Sequence, residues 1–221
     1  MISSKEKYEY LRQFLTEERL VLFNRLIQWR TRYLTVLLED VYHPHNSNAV
    51  LRSCDCFGLC EMHVLESKYN YEISERISKG ATKWTDAIRH HDIEEGLNHL
   101  KNRGFKIVAT TPSTDAIALQ ELPIDQPLAL IFGAEKIGIS DFAASNADFK
   151  MYIPMQGFTE SLNVSVAAAL SMFELTNRIR TSKYPWQLSP EQHFDLLLEW
   201  AMKSVRSSND LINAFIKQYG N

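Results

Sequence analysis

The 221-residue chain has few of the residues that define specialised protein classes. Three cysteines, seven prolines and eight glycines exclude a disulfide scaffold, a collagen-like repeat and a low-complexity chain. The longest apolar runs, such as 128–132, are about five residues long, far below the roughly 20 that a membrane span needs. The polar start MISSKEKYEY lacks the apolar segment of a secretory signal. We therefore expect a cytoplasmic protein without a membrane segment.

The cysteines lie close together in the sequence, at Cys54, Cys56 and Cys60. Their spacing, C-x-C-x3-C, matches no common zinc pattern, and no histidine lies at a ligand-like offset within the group. An odd number of cysteines is typical of free thiols in a reducing compartment. We expect structural thiols and no metal site.

Charge is unevenly distributed along the chain, although the net charge is only −3. Residues 1–52 and 176–221 each carry a net charge of +2, whereas residues 53–175 carry −7. This balance argues against a nonspecific nucleic-acid binder with a basic surface all over. It leaves open local basic patches near the two ends.

The common nucleotide and hydrolase signatures are missing. The sequence has no G-x-G-x-x-G after a strand, no G-K-[ST], no H-E-x-x-H, no G-x-S-x-G and no C-x-x-C. These absences argue against a Rossmann dinucleotide enzyme and a P-loop NTPase.

The middle of the chain alternates short apolar runs with helical patterns. Predicted strands are 34–38, 62–65, 106–109, 128–132 and 150–153, and predicted helices are 48–57, 93–103 and 140–145. This alternation predicts an α/β fold with a mostly parallel sheet covered by helices on both faces. Ligands of such folds bind beyond the carboxyl ends of the strands, which directs attention to loops 41–47, 110–116, 133–139 and 154–160.

The two ends are predicted to be helical extensions, 1–32 and 176–221, of a catalytic domain at 33–175. Apolar residues between 5 and 30 recur with the helical period and predict one bent or two short helices. Long helical patterns also cover 161–182, 190–202 and 209–219. Arginines between residues 12 and 32 suit phosphate contact, although a solvated helix face is an equally good interpretation.

The first informative segment is HPHNSNAVLR at 43–52. Ser47 or Asn48 is a suitable N-cap, which predicts a helix that starts near Ala49. Arg52 then lies about one turn into that helix, with Asn46 in the loop before it. An ordinary polar turn with a surface arginine explains the same residues.

The second segment, GAEKIGIS at 133–140, follows the apolar strand 128–132. Glycines at 133 and 138 allow a tight turn and a close approach of the backbone to a ligand. Glu135 places a carboxylate beyond the strand end. The alternative is an ordinary strand-to-helix turn capped by Ser140.

The third segment, IPMQGFTESLNVS at 153–165, again runs from a strand through a glycine-containing loop into a helix. Free N–H groups at a helix start attract anions and electron-rich oxygens. Helix capping accounts for Ser161 but leaves Asn163 unexplained.

Taken in this order, the three segments resemble motifs 1, 2 and 3 of the SpoU/TrmH family of RNA 2′-O-ribose methyltransferases, within the SPOUT superfamily. The resemblance covers about residues 34–175, and the helical ends are similar to those of the tRNA (guanosine-2′-O-)-methyltransferase branch. It implies S-adenosyl-L-methionine as methyl donor, a homodimer and a C-terminal trefoil knot.

The resemblance also implies roles for individual residues. The cofactor-binding residues would be Thr110, Gly133, Ile153, Met155, Gly157 and Leu162. The catalytic residues would be Arg52, Asn46, Glu135, Ser161 and Asn163. Arginine keeps its proton to about pH 12, so we expect Arg52 to hold a substrate phosphate and orient the hydroxyl. Glu135 is then the conventional candidate for the general base.

The substrate class follows from the reaction, because the 2′-hydroxyl distinguishes RNA from DNA. The implied target is guanosine 18 in the D-loop of tRNA, with the arginines of 12–32, Arg178 and Arg180 as contacts to the tRNA backbone. Three alternatives remain open: a ribosomal RNA methyltransferase of the same family, a noncatalytic RNA-binding module and an unrelated nucleotide-binding α/β enzyme.

Overall fold

The computed structural model describes residues 2–67, 71–134 and 137–219. The chain divides into two compact units, one formed by Thr31–Trp186 and the other by Met1–Arg30 together with Gln187–Asn221. The two terminal segments, which were expected as separate extensions, thus belong to one unit. The boundary expected at residue 175 falls inside a helix that continues to Thr181.

The elements are numbered in chain order. The helices are α1 (Ser4–Leu11), α2 (Glu17–Ile27), α3 (Pro44–Cys56), α4 (Glu75–Ser78), α5 (Ile93–Asn102), α6 (Asp141–Ser145), α7 (Val164–Thr181), α8 (Pro190–Met202) and α9 (Ser208–Tyr219). The strands are β1 (Leu34–Glu39), β2 (Glu61–Leu65), β3 (Asp86–His90), β4 (Lys106–Thr110), β5 (Ile117–Ala118), β6 (Leu128–Phe132) and β7 (Phe149–Tyr152).

The terminal unit is a helical cluster made from α1, α2, α8 and α9. Its helix starts are specified locally, because Ser3 and Ser189 each form a capping box with the residue three positions later. Its core includes the rings of Phe23 and Trp200, whose centroids lie 5.2 Å apart. The sequence predicts one bent or two short N-terminal helices, and the structure has two short helices there.

The larger unit is built on a parallel sheet with strand order β3-β2-β1-β6-β4-β7-β5. Every pairing between these strands is parallel. The central strands β1 and β6 are buried along their whole length, as continuous apolar runs predict. The α/β fold with a mostly parallel sheet is confirmed, and the trefoil knot stays a prediction.

Helices cover both faces of this sheet because neighbouring strand residues point to opposite sides. On one face, Val36 and Leu38 pack with Met172 of α7 and with residues of α3. On the other face, Leu37 packs with Leu97 of α5 and with Ala143 of α6.

Two strands at the sheet edges escaped prediction. The β3 sequence, DAIRH, has only two apolar residues, and β5 is two residues long. Both strands pair on one side only in this sheet order and are partly exposed, so neither needs the apolar run of a central strand.

The start of α3 also differs from the prediction. The helix begins at Pro44 with His43 as N-cap, not near Ala49. Proline is well tolerated in the first helical turn, where its missing N–H would have no partner. As a result, Asn46, Ser47 and Asn48 lie inside the helix and are buried.

The described residues contain no helix that is both long and apolar enough to cross a membrane. The three cysteines, all within the described part of the chain, form no disulfide; Cys54 and Cys60 are buried and Cys56 is exposed. No group of potential metal ligands occurs in the described part of the chain.

A buried carboxylate anchors one side of the sheet. Glu61, 3% exposed, contacts Arg32 and Arg103 at 2.5 Å each, and its Oε1 lies 3.4 Å from His63 Nε2. Burial raises the pKa of Glu61, but the His63 and Arg103 hydrogen bonds and the two arginine charges outweigh it and lower the pKa from 4.5 to about 2.

We expect Glu61→Gln to lower the free energy of unfolding at pH 7 by about 3 kcal/mol, because the partly buried side chains of Arg32 and Arg103 lose the buried carboxylate that pairs with both. The folded pKa of Glu61 lies below its unfolded value, so the wild-type advantage is complete above about pH 5 and shrinks as the pH falls toward 2. Urea denaturation at several pH values measures this difference, with the exposed Glu121→Gln as control. A difference that does not change with pH would contradict this account.

Candidate active site

The carboxyl ends of the central strands meet at one edge of the sheet. Because β1, β6, β4 and β7 are adjacent and parallel, the segments that follow them emerge side by side. Three of these segments contain the residues that the sequence assigned to cofactor binding.

A cavity of about 690 Å³ opens at this edge, and we call it the edge cavity. It is lined by Thr110, Thr111 and Pro112 after β4, by Phe132 at the end of β6, by residues between Met151 and Leu162, and by Ala167 of α7. The predicted site residues among its lining are Thr110, Ile153, Met155, Gly157, Ser161 and Leu162.

The edge cavity is apolar inside and has both apolar and polar groups at its mouth. Phe132 and Met151 are almost completely buried, whereas Met155, Ser161 and Leu162 are exposed. An apolar interior with a few polar groups at the rim is typical of small-molecule sites.

Hydrogen bonds fix the segment that follows β4. Thr110 Oγ1 donates to the carbonyl oxygen of Ile131 at 2.6 Å, and the Thr111 N–H donates to that of Met151 at 2.9 Å. These bonds reach the neighbouring strands on both sides, so this wall of the cavity is rigidly held.

Gly133 makes the loop after β6 possible. A Cβ atom at this position would lie 2.0 Å from the carbonyl carbon of Gly138 and 2.2 Å from the amide nitrogen of Ile139. Gly138 has a φ of 75°, and its N–H donates to the Ala134 carbonyl oxygen at 2.8 Å. The tight turn predicted between these glycines is confirmed, but Gly133 is not among the residues that line the edge cavity.

The far end of the same loop is held by Glu39, the last residue of β1. Glu39 Oε2 accepts a hydrogen bond from the Ser140 N–H at 2.9 Å. Ser140 in turn caps α6, because its Oγ accepts from the Ala143 N–H at 3.1 Å. Capping by Ser140 is thus confirmed, and Glu39 adds a contact that the sequence did not reveal.

A hydrogen bond joins the first and third motifs. Asn163 Nδ2 donates to Asn46 Oδ1 at 3.2 Å across 117 positions of sequence. Asn163, not Ser161, is the N-cap of α7, and its Oδ1 accepts from the Ser165 N–H and Oγ. Helix capping therefore accounts for Asn163, whose role the sequence left unexplained. Ser161 is exposed at the cavity.

Arg52 does not lie at the edge cavity. It is exposed on α3 and lines a second cavity of about 610 Å³ together with His45, Cys56, Arg76 and Lys79. The structure therefore brings Asn46 and Asn163 together but does not bring Arg52 into the edge cavity. Glu135 lies outside the described residues.

Several arginines expected to contact RNA have structural partners instead. Arg178 donates to the carbonyl oxygens of Leu119 and Leu122, and Arg180 donates to that of Phe57. In the terminal unit, Arg30 is 4% exposed and stacks on the Trp200 ring. These arginines have partners within the protein because a guanidinium with five donors also satisfies carbonyl groups. Their contact with the tRNA backbone stays a prediction.

With this geometry in view, comparison with known proteins identifies the family. The model of the SpoU rRNA Methylase family matches residues 33–173. This protein belongs to the SpoU methylase family. It is also similar to the tRNA (guanosine(18)-2′-O)-methyltransferase of Thermus thermophilus, at 39% identity over 190 residues, which is 85% of this chain and 98% of the relative.

Solved structures of this family share the fold. The A. aeolicus TrmH/SpoU tRNA modifying enzyme superposes with a TM-score of 0.75 at 34% identity, covering 86% of this chain and 98% of that chain. The SpoU methyltransferase AviRb from Streptomyces viridochromogenes, solved with AdoMet bound, has a TM-score of 0.62 at 24% identity, covering 72% of this chain and 62% of that chain.

We expect Gly133→Ala to destabilise the protein by about 3 kcal/mol or more, because the new methyl group would overlap backbone that cannot move aside. Thermal unfolding measures the loss. Gly157→Ala is the matched control, since its Cβ would meet nothing closer than 3.9 Å. Equal melting temperatures for the two variants would show that the loop relaxes freely.

Proposed function

We propose that this protein transfers a methyl group from S-adenosyl-L-methionine to the 2′-hydroxyl of a ribose in tRNA, at guanosine 18 of the D-loop. The observation that carries the proposal is the edge cavity, whose lining includes residues that the family resemblance assigns to the methyl donor. The name of the Thermus thermophilus relative supports the choice of RNA and position.

The edge cavity fits the methyl donor by size and chemistry. Its volume of about 690 Å³ lies within the range of roughly 300–1,000 Å³ usual for small-molecule sites. Thr110, Ile153, Met155, Gly157 and Leu162 would hold the donor, the apolar side chains by contact and Thr110 as a polar group. Gly133 would contribute by setting the shape of the adjoining loop.

When bound, the donor supplies a methyl group on a positively charged sulfur. The residues of the chain must then orient the ribose hydroxyl in line with that methyl group and accept its proton. Ser161 lines the cavity and Asn163 caps the start of α7, so a hydroxyl and an amide are suited to bind the ribose there. We propose Glu135 as the proton acceptor, because a carboxylate is a conventional general base.

Arg52 serves the reaction better as an anchor than as a base. Its guanidinium keeps its proton to about pH 12, and a planar fork of donors matches a phosphate group. Because Arg52 lines the second cavity and not the edge cavity, we propose that it comes from the second subunit of a homodimer.

An apolar stripe on α7 supports this dimer. Val166, Leu170 and Phe173 recur on one side of the helix and are 45%, 44% and 53% exposed. Phe57 extends the stripe, with its ring centroid 6.1 Å from that of Phe173. Adjacent exposed apolar side chains at helical spacing mark an association surface, and the occupant we propose is the same face of a second copy of this chain.

We also propose a cytoplasmic location for the protein, because tRNA is found there.

We expect Phe173→Asp to convert the dimer to monomer, since a buried carboxylate without a partner is costly at an apolar interface. Light scattering coupled to size-exclusion chromatography measures the mass. Asn98→Asp on the exposed side of α5 adds the same charge and should remain dimeric. A monomeric wild-type protein, or a dimeric Phe173→Asp variant, would refute this interface.

Methyl transfer itself is tested with purified protein, unmodified tRNA transcript and tritiated S-adenosyl-L-methionine. We expect label in the tRNA with wild-type protein, loss of at least about a hundredfold in rate with Arg52→Ala, and no label when guanosine 18 is substituted. Arg52→Lys keeps the positive charge but lacks the planar fork of donors, so it should recover part of the rate that is lost in Arg52→Ala.

Other results discriminate among the alternatives. Label in ribosomal RNA but not in tRNA would favour the ribosomal RNA methyltransferase and overturn the substrate assignment. Label in neither RNA, although S-adenosyl-L-methionine binds, would overturn the proposed function as a whole.

A further inference from the structure

The second cavity, beside Arg52, has a composition that the methyl-donor site does not explain. We call it the basic groove; it is lined by His45, Ala49, Arg52, Ser53, Cys56, Arg76, Ile77 and Lys79. Three of these side chains are cationic and, among the described residues, none of the lining is acidic. All three cationic residues are exposed.

The concentration of positive charge contrasts with its surroundings. Residues 53–175 carry 10 lysines and arginines against 17 acidic residues, yet two of those ten face this one groove. Two acidic residues adjoin the lining in sequence: Glu75, whose Oε1 accepts a hydrogen bond from Thr82 Oγ1 at 2.7 Å, and the half-buried Asp55, which is not among the lining residues. Several cations that line one groove, with no acidic side chain among the described lining residues, form a site for an anion.

A buried side chain holds the two walls of the groove together. Asn48 of α3 is 0% exposed, and its Nδ2 donates to the carbonyl oxygens of Pro44 and Glu72 at 2.7 Å each. Its Oδ1 accepts from the Ser74 N–H at 2.9 Å. The two bonds to Glu72 and Ser74 fasten the segment that carries Arg76 and Lys79 against the helix that carries Arg52.

The backbone beyond α4 also places Lys79 in an uncommon conformation. Lys79 has a φ of 52° and Gly80 a φ of 83°, so two successive residues are left-handed. The turn ends α4 and leaves Lys79 on the same groove as Arg76.

We propose that Arg76 and Lys79 bind phosphate groups of the RNA backbone next to the one held by Arg52, so that the basic groove fixes the register of the substrate RNA. This inference rests on the proposed function, because it makes the groove the track along which the methylated nucleotide is positioned. Arg76 and Lys79 are positioning residues. Contacts to phosphates set register and orientation without reading the base.

The test uses the full-length protein and compares the double variant Arg76→Gln/Lys79→Gln with wild type. We expect the KM for tRNA to rise about fivefold to tenfold for each lost phosphate contact, while the KM for S-adenosyl-L-methionine stays unchanged. The plot of log Kd for tRNA against log salt concentration should lose about two units of slope, roughly 0.9 for each phosphate. Arg76→Lys, which keeps the charge, should restore most of the slope.

Lys106→Gln is the matched control, because it removes one positive charge at the start of β4, the opposite end of the strands. It should leave tRNA binding and the salt slope unchanged. Thermal unfolding checks that each variant is folded. If the melting temperature of the double variant is lowered, the single variants Arg76→Gln and Lys79→Gln are compared with wild type instead.

The outcomes separate this inference from the proposed function. An unchanged salt slope in the double variant, or an equal change in Lys106→Gln, would overturn the groove as an RNA site even if methylation proceeds. Absence of methyl transfer by the wild-type protein, combined with tRNA binding that depends on Arg76 and Lys79, would overturn the reaction and leave the groove standing.

Discussion

The parallel alignment of β1, β6, β4 and β7 is the constraint on which the rest of this structure depends. Each strand contributes a carboxyl end to the same edge, so segments far apart in sequence meet there. The edge cavity is lined mainly by the segments after β4 and β7; Thr110 anchors the first of these, and Gly133 and Ser140 hold the adjoining loop after β6. A different strand order would separate these loops even if every local conformation were preserved.

Hydrogen bonds of buried polar groups hold several segments of this fold in position. The Asn46–Asn163 bond ties the start of α3 to the start of α7, Asn48 fastens the α4 segment to α3, and Glu39 holds the loop at Ser140. A buried polar group without a partner is costly, so each such contact favours one arrangement over its alternatives. Side chains suited to the chemistry, such as Ser161 and Arg52, are instead exposed.

Sequence patterns predicted the central strands and the terminal helices well, and the edge strands poorly. The runs at β1 and β6 are buried on both faces, which makes the apolar signal continuous and easy to read. The edge strand β3 lacks that signal. The start of α3 was misplaced because Ser47 and Asn48 resemble caps, whereas Pro44 at the first helical position was the better indicator.

The sequence by itself determined the fold class, the family and the set of candidate residues, because apolar periodicity and three ordered motifs are local properties of the chain. Only the tertiary structure decided which polar residues are free to act. In the folded chain, Arg178 and Arg180 donate hydrogen bonds to backbone carbonyl groups, and Asn163 caps a helix. Arg76 and Lys79 line the same groove as Arg52. The physical reason is that a polar side chain acquires its role from partners distant in sequence, and only the packed chain brings those partners within hydrogen-bonding distance.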